Sequence, residues 1–255
     1  MMVLASLKAR LAKHSEALVW VDKVLEAEPE HGYAWFVRAG VLIKLNESQE
    51  AIRSFRRATE LLPDNFEAQY NFGAYLLQSG ALDSATPYLV QAYGLCRDAS
   101  RYLQIRETLL QLPVAADSAV TLGAIDRSRG QWDAALTWLD RALAAAPANG
   151  ELLFQKGRVL RDRGDLPGAA DVMASACDAL PDAFVPHFEL GLVLNELLRF
   201  PEALERLRSA LAIGPPASWS GEQARNTVAR IEEVVRALEA GQQGPLFGPP
   251  ATPGG

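Results

Sequence analysis

Apolar residues recur at three- and four-residue intervals, as at Leu190, Leu194 and Leu197, in short runs broken by Gly, Asn, Asp and Pro. That spacing places the apolar side chains on one face of a helix. The breaks fall where helices must stop and start. Glycine or asparagine tolerates the left-handed backbone that closes a helix. Asp caps the next one, and Pro suits its first turn, where the missing N–H has no partner to lose. The pattern predicts an all-α chain of many short helices.

The breaks are periodic. Pro29, Pro63, Pro147, Pro181 and Pro215 are separated by 34, 84, 34 and 34 residues, and the 84 is two periods of 34 with an insertion of 16. Self-similarity at a fixed period marks a repeat array. With the proline at position 32 of each period, position 20 is Ala17, Ala51, Ala85, Ala135, Ala169 and Ala203. Position 27 is Val24, Ala58, Ala92, Ala142, Ala176 and Ala210, and position 8 is Ala5, Ala39, Gly73, Gly123, Gly157 and Gly191. Small residues in register allow helix axes to approach closely, so each period reads as a helix pair. Gly80, Gly130 and Gly164, with Asn46, stand between the two helices, and Asp83, Asp133, Pro167 and Pro201 open the second.

These residues resemble the tetratricopeptide repeat (TPR), whose pattern has Trp at position 4, small residues at 8, 20 and 27, an aromatic at 24 and Pro at 32. The second period supplies Trp35, Ala39, Leu42, Ala51, Phe55, Ala58 and Pro63, and the third opens with PDNFEAQYNFG. Six repeats are expected, at residues 2–31, 32–65, 66–99, 116–149, 150–183 and 184–217. The resemblance implies an all-α, right-handed α–α superhelical solenoid of TPR helix pairs with a C-terminal capping helix. The expected organisation is three repeats over 1–98, an inserted linker helix at 99–115, three repeats over 116–217, a capping helix at 218–240 and a disordered tail at 241–255. The pattern departs from the family at four places. The first repeat begins short, as a worn terminal cap or a chain starting downstream. Arg97 stands where proline is expected, Asp126 takes an apolar packing position and suggests a buried acid, and Leu198 replaces the inter-helix glycine.

The insertion reads as one helix capped by Asp98 and stopped before Pro113. It is either a packed spacer or a hinge or lid over the groove. Ala224, Val228, Ile231, Val235 and Leu238 share one face of a last helix. A final repeat leaves an apolar face that such a helix covers; a seam of barely two heptads is short for a dimer. Leu246–Phe247 in the Pro/Gly-rich tail is a candidate docking pair.

In the family, the first helices of the repeats line a concave surface, and positions 2, 5, 6, 9, 12 and 13 contact the ligand. Carried over, these give peptide-binding candidates Tyr33, Phe36, Tyr70, Asn71, Ala74, Gln78, Arg127, Phe154, Gln155, Arg158, Arg161, Phe188 and Asn195. Four of them are rings at position 5: Phe36, Tyr70, Phe154 and Phe188. Rings give contact area at little entropic cost, and amides meet a bound backbone. The same rings could instead seal neighbouring helices. The groove should prefer a partly apolar segment, with acidic residues facing Arg127, Arg158 and Arg161. Changing Phe154 and Arg158 together to Ala is expected to abolish capture with helix content retained. The carboxylate clamp of chaperone-binding members is not expected, because only Asn71 matches it.

The charge balance, 25 Lys and Arg against 31 Asp and Glu, argues against nucleic acid, whose affinity rests on neutralising phosphates. Cys96 and Cys177 lie far apart inside expected helices and read as reduced, buried thiols. No secretory signal or apolar run of spanning length is visible, so a cytoplasmic location without membrane insertion is expected. His14 and His31 fall near repeat junctions and His187 takes the packing position of the family's Trp. No metal spacing, phosphate loop or nucleophile motif accompanies them, so neither a cofactor nor catalysis is expected. The expected function is a protein-binding scaffold or adaptor. The alternatives are a substrate-recruiting subunit of a glycosyl- or sulfotransferase-type complex, or a self-assembling scaffold that forms a homo-oligomer.

Overall fold

The computed structural model describes Met2, Lys8, residues 12–219 and residues 221–240, the side chains of Gln223 and Ala224 excepted. Among the described residues the chain forms α-helices and no strand. Ala5, most of the first helix of the first repeat, and the tail with Leu246–Phe247 lie outside them.

The chain divides into two compact units, Met1–Val114 and Ala115–Gly255. The first holds α1 (His14–Ala27), α2 (Gly32–Lys44), α3 (Ser48–Leu61), α4 (Phe66–Gln78), α5 (Leu82–Leu95) and α6 (Ala99–Leu110). The second holds α7 (Ala116–Ser128), α8 (Trp132–Ala145), α9 (Gly150–Arg163), α10 (Leu166–Ala179), α11 (Phe184–Glu196), α12 (Phe200–Ile213) and α13 (Gly221–Glu239). The helix pairs α2–α3, α4–α5, α7–α8, α9–α10 and α11–α12 pack within themselves, one pair per 34-residue period.

Close approach explains the small residues. The position-20 alanines all have no exposed surface. At position 8 the first helix meets a large side chain of its partner. A methyl group added at Gly157 would stand 2.4 Å from Met173 Cγ, and one at Gly191 2.7 Å from Leu207 Cγ, distances that forbid it without movement. Where position 8 is Ala39, the residue in register with Met173 and Leu207 is Phe55, 2% exposed.

Each pair turns through a left-handed residue: Asn46, Gly80, Gly130, Gly164 and Leu198, with φ between 61° and 96°. The next amide donates to the carbonyl five residues back, as in Asp165 to Leu160 at 2.9 Å and Arg199 to Leu194 at 2.9 Å. This is the Schellman closure of a helix. Leu198 makes it without glycine's freedom, and its side chain is 56% exposed.

The second helices α5 and α8 begin two residues earlier than expected. Asp83 and Asp133 therefore lie inside the first turn and make no cap; the N-caps there, Ala81 and Gln131, make no side-chain cap hydrogen bond. The two carboxylates act on the helix dipole instead. Asp165 is the true cap of α10, accepting from the Gly168 amide at 3.0 Å.

Consecutive repeats are hooked together through position 4. Trp35 Nε1 donates to the Pro29 carbonyl at 2.7 Å, Gln69 Nε2 to the Pro63 carbonyl at 3.1 Å, and His187 Nε2 lies 3.2 Å from the Pro181 carbonyl. Indole, amide and imidazole serve the same acceptor. His187 is buried, and that burial pushes its pKa below the usual histidine value.

The inserted helix α6 packs on α5, with Tyr102 stacked on Tyr93 at 4.4 Å. Asp98 caps it, accepting from the Arg101 amide at 2.8 Å, which lowers the carboxyl pKa. Cys96 is not helical but stands just past α5 in extended backbone, while Cys177 is inside α10. Neither thiol is in a disulfide, both are buried, and burial pushes Cys177 up to about 11. The helix α13 covers the last pair through Ile231, Val234 and Val235, with Leu238 partly buried beside them. Val234, absent from the expected face, is 1% exposed.

Candidate peptide-binding surfaces

In the first unit, α2 and α4 bring Phe36, Asn71, Ala74 and Gln78 to one pocket of about 350 Å³. Gly40 and Ala74, both at position 9, leave it open; a Cβ at Gly40 would meet no atom within 4 Å. Its apolar wall is built on a chain of rings running from Phe36 through Phe55 (6.3 Å) to Phe72 (5.3 Å) and Tyr88 (4.4 Å). The amides of Asn71 and Gln78 are exposed on the other side. Asn71 Nδ2 donates back to the Glu67 carbonyl at 2.7 Å, so its oxygen faces outward without a partner among the described residues. Lys44, at position 13 like Gln78 but absent from the candidates named above, adds a cation to the lining. Tyr33 and Tyr70 do not line this pocket. Tyr33 is 49% exposed with its ring 5.9 Å from Phe36, and Tyr70 stacks on Phe66 at 5.5 Å.

In the second unit, α7, α9 and α11 bring Arg127, Arg158 and Arg161 around two carboxylates. Arg127 Nη1 donates to Asp162 Oδ2 at 2.6 Å, and Arg161 Nη1 to Glu189 Oε2 at 3.1 Å. Two of the three arginines expected to face an acidic ligand are thus already neutralised within the fold. Gln155 donates to Glu151 at 2.7 Å.

The position-5 ladder is not uniform. Phe154 is 4% exposed and belongs to the core that contains Met173, Leu190 and Leu194. It is a sealing ring that does not offer its face to a ligand. Truncating such a ring costs about 3–5 kcal/mol, so the Phe154/Arg158 double alanine does not probe the surface alone. Phe188 stacks on Phe184 at 5.7 Å and packs with the cluster under α13. Asn195 is 2% exposed with its Oδ1 unpartnered, and so lies within the packing between helices. A second pocket of about 430 Å³ opens at the start of α11, edged by Phe154, Phe184, Ile213 and Gly214. Its only signal in the sequence is the Gly214–Pro215–Pro216 turn.

Among the described residues no group of three or more His, Cys, Asp or Glu side chains is placed to hold a metal ion. No helix among them is long and apolar enough to cross a membrane.

A family model of the tetratricopeptide repeat matches residues 3–59, 41–100 and 120–184. Among curated proteins, the chain is 21% identical over 245 residues to anaphase-promoting complex subunit 3 of Schizosaccharomyces pombe, covering 93% of this chain and 34% of that protein. It is 25% identical over 242 residues to the CTR9 homolog of Arabidopsis thaliana, covering 83% of this chain and 22% of that protein. The chain therefore spans about a third or less of the length of these curated relatives. Among solved structures it is similar to YrrB, a TPR protein with an unusual peptide-binding site, at 21% identity over 84% of this chain and 97% of that one, with a TM-score of 0.44. It is also similar to the TPR2AB domain of yeast Sti1 in its Hsp90 complex, at 15% identity over 93% and 96% of the two chains, with a TM-score of 0.41.

Proposed function

The chain belongs to the tetratricopeptide-repeat family, and from that premise we propose that it is a non-catalytic adaptor that holds a segment of another protein against the first helices of its repeats. The observation that carries this reading is the open pocket between α2 and α4. Phe36 and Phe55 give it an apolar wall, and the exposed amides of Asn71 and Gln78 stand beside them. That pairing suits an extended peptide. An apolar side chain enters the pocket, and the amides meet the backbone N–H and C=O that flank it. A protein that works this way needs no cofactor. One curated relative is named as a subunit of a larger complex, in keeping with an adaptor.

Gly40 supplies the test. A Gly40→Leu side chain projects into open space and fills the pocket, while removing a mid-helix glycine that costs about 0.5–1 kcal/mol. Affinity purification with the wild type should recover a partner that Gly40→Leu loses, with helical circular dichroism and thermal stability kept or raised. Undiminished recovery by the filled variant would eliminate this pocket as the binding site.

A further inference from the structure

Arg158 differs from its two neighbours in the second unit. Arg127 and Arg161 each donate a hydrogen bond to a carboxylate, but Arg158 comes only within 3.7 Å of Glu189, beyond hydrogen-bond range. Its Nε is buried and unpartnered, and no hydrogen bond joins its guanidinium to any described residue. The side chain is 28% exposed and lies over the Phe154 ring, 5.8 Å from the centroid. Three guanidiniums thus share two carboxylates, and the excess positive charge falls on Arg158, which is ion-paired with Glu189 at 3.7 Å but makes no hydrogen bond to it.

A guanidinium carries five donors in a fixed fork that matches a carboxylate. Leaving it partly desolvated without an acceptor is costly, and here burial pushes the arginine below its usual pKa. The buried ring beneath it holds the planar group in place. The site is one acceptor short.

We propose that Arg158 receives the side-chain carboxylate of a Glu or Asp in the bound segment, so that the second unit selects an acidic residue. This rests on the adaptor reading and narrows it: acidity is read at Arg158, while Arg127 and Arg161 hold Asp162 and Glu189 in position.

The experiment uses the full chain and two randomised short-peptide libraries that differ only in a fixed central Glu or Gln. The wild type should enrich the Glu library by about tenfold or more over the Gln library, the scale of one charge-assisted hydrogen bond. Arg158→Gln should enrich both equally while still recovering binders, and Arg158→Lys, which keeps the charge without the fork, should fall between. Equal enrichment by the wild type, or a preference unchanged in Arg158→Gln, overturns this inference and leaves the adaptor reading standing. Failure of the wild type to enrich either library above a control without protein overturns both. Since Arg158 has no hydrogen bond to lose, Arg158→Gln should melt close to the wild type, and Arg158→Lys provides an independent reading.

Discussion

The Trp138 indole N–H donates to the Asp126 carboxylate at 2.8 Å, between two side chains that are 1% and 0% exposed. Asp126 takes a position that the repeat pattern reserves for an apolar residue, and its bond with Trp138 joins α7 to α8. A hydrogen bond to a charged group contributes about 1.5–3 kcal/mol. Trp138→Phe should therefore lower stability by about that much, beyond the loss of ring area. A double-mutant cycle with Asp126→Leu should give a coupling of about 0.5–3 kcal/mol in urea unfolding. Strict additivity would show that the pair contributes nothing as a pair.

Leu198 closes α11 at φ 61°, a conformation that costs an L-residue about 1–2 kcal/mol. Leu198→Gly should shift the urea midpoint upward, the gain reduced by glycine's greater freedom when unfolded. Because the Leu198 side chain is exposed, little packing is lost.

Two glycines on equivalent first helices should respond in opposite directions. Gly40→Ala adds a methyl to open space and should stabilise by about 1 kcal/mol. Gly157→Ala drives a methyl against Met173 Cγ and should destabilise by about 1–3 kcal/mol. Thermal melts of the two variants check both signs, and a stabilising Gly157→Ala would refute the close approach of α9 and α10.

The repeat period and the packing of each pair were legible because backbone proximity admits few residue types: Ala at position 20, Gly or Ala at position 8, a residue tolerant of positive φ at the turn. The binding face was legible only in part. Phe36 and Phe154 hold the same position, but Phe36 is half-buried beside Gly40 while Phe154 is sealed into a core with Met173 beneath Arg158. That difference depends on side chains from neighbouring helices, which a period position does not record. Glu189 and Asp162 likewise lie on α11 and α9, away from Arg127 in sequence, so their pairing with the arginines emerged only in three dimensions. Asp83 and Asp133 missed their capping role by two residues, the margin by which helix starts escape pattern reading.

His187 should make stability depend on pH. Its pKa is lowered in the folded state, first by burial and then by the nearby Arg206, so on acidification the unfolded chain takes up the proton first. Stability is complete above the unfolded histidine value and falls as pH drops from there through the folded pKa. His187→Gln should reach the same Pro181 carbonyl, as Gln69 does at Pro63, without titrating. Urea unfolding at neutral and mildly acidic pH should show a smaller acid loss in the variant, and an identical loss would assign the effect to other groups.

The hooks from position 4 to the preceding proline carbonyl are not made at every junction. In the fifth repeat the position is Leu153, which has no donor to offer Pro147. In a linear array, cooperativity is carried by nearest-neighbour interfaces, and the joint between the fourth and fifth repeats replaces this hook with ion pairs, Arg127 to Asp162, Lys156 to Asp140 and Arg163 to Asp133. Ion pairs are screened by salt where hooks to a backbone carbonyl are not, so added salt should loosen this joint first and let α7 and α8 exchange their amide protons on a different clock from α9 to α12.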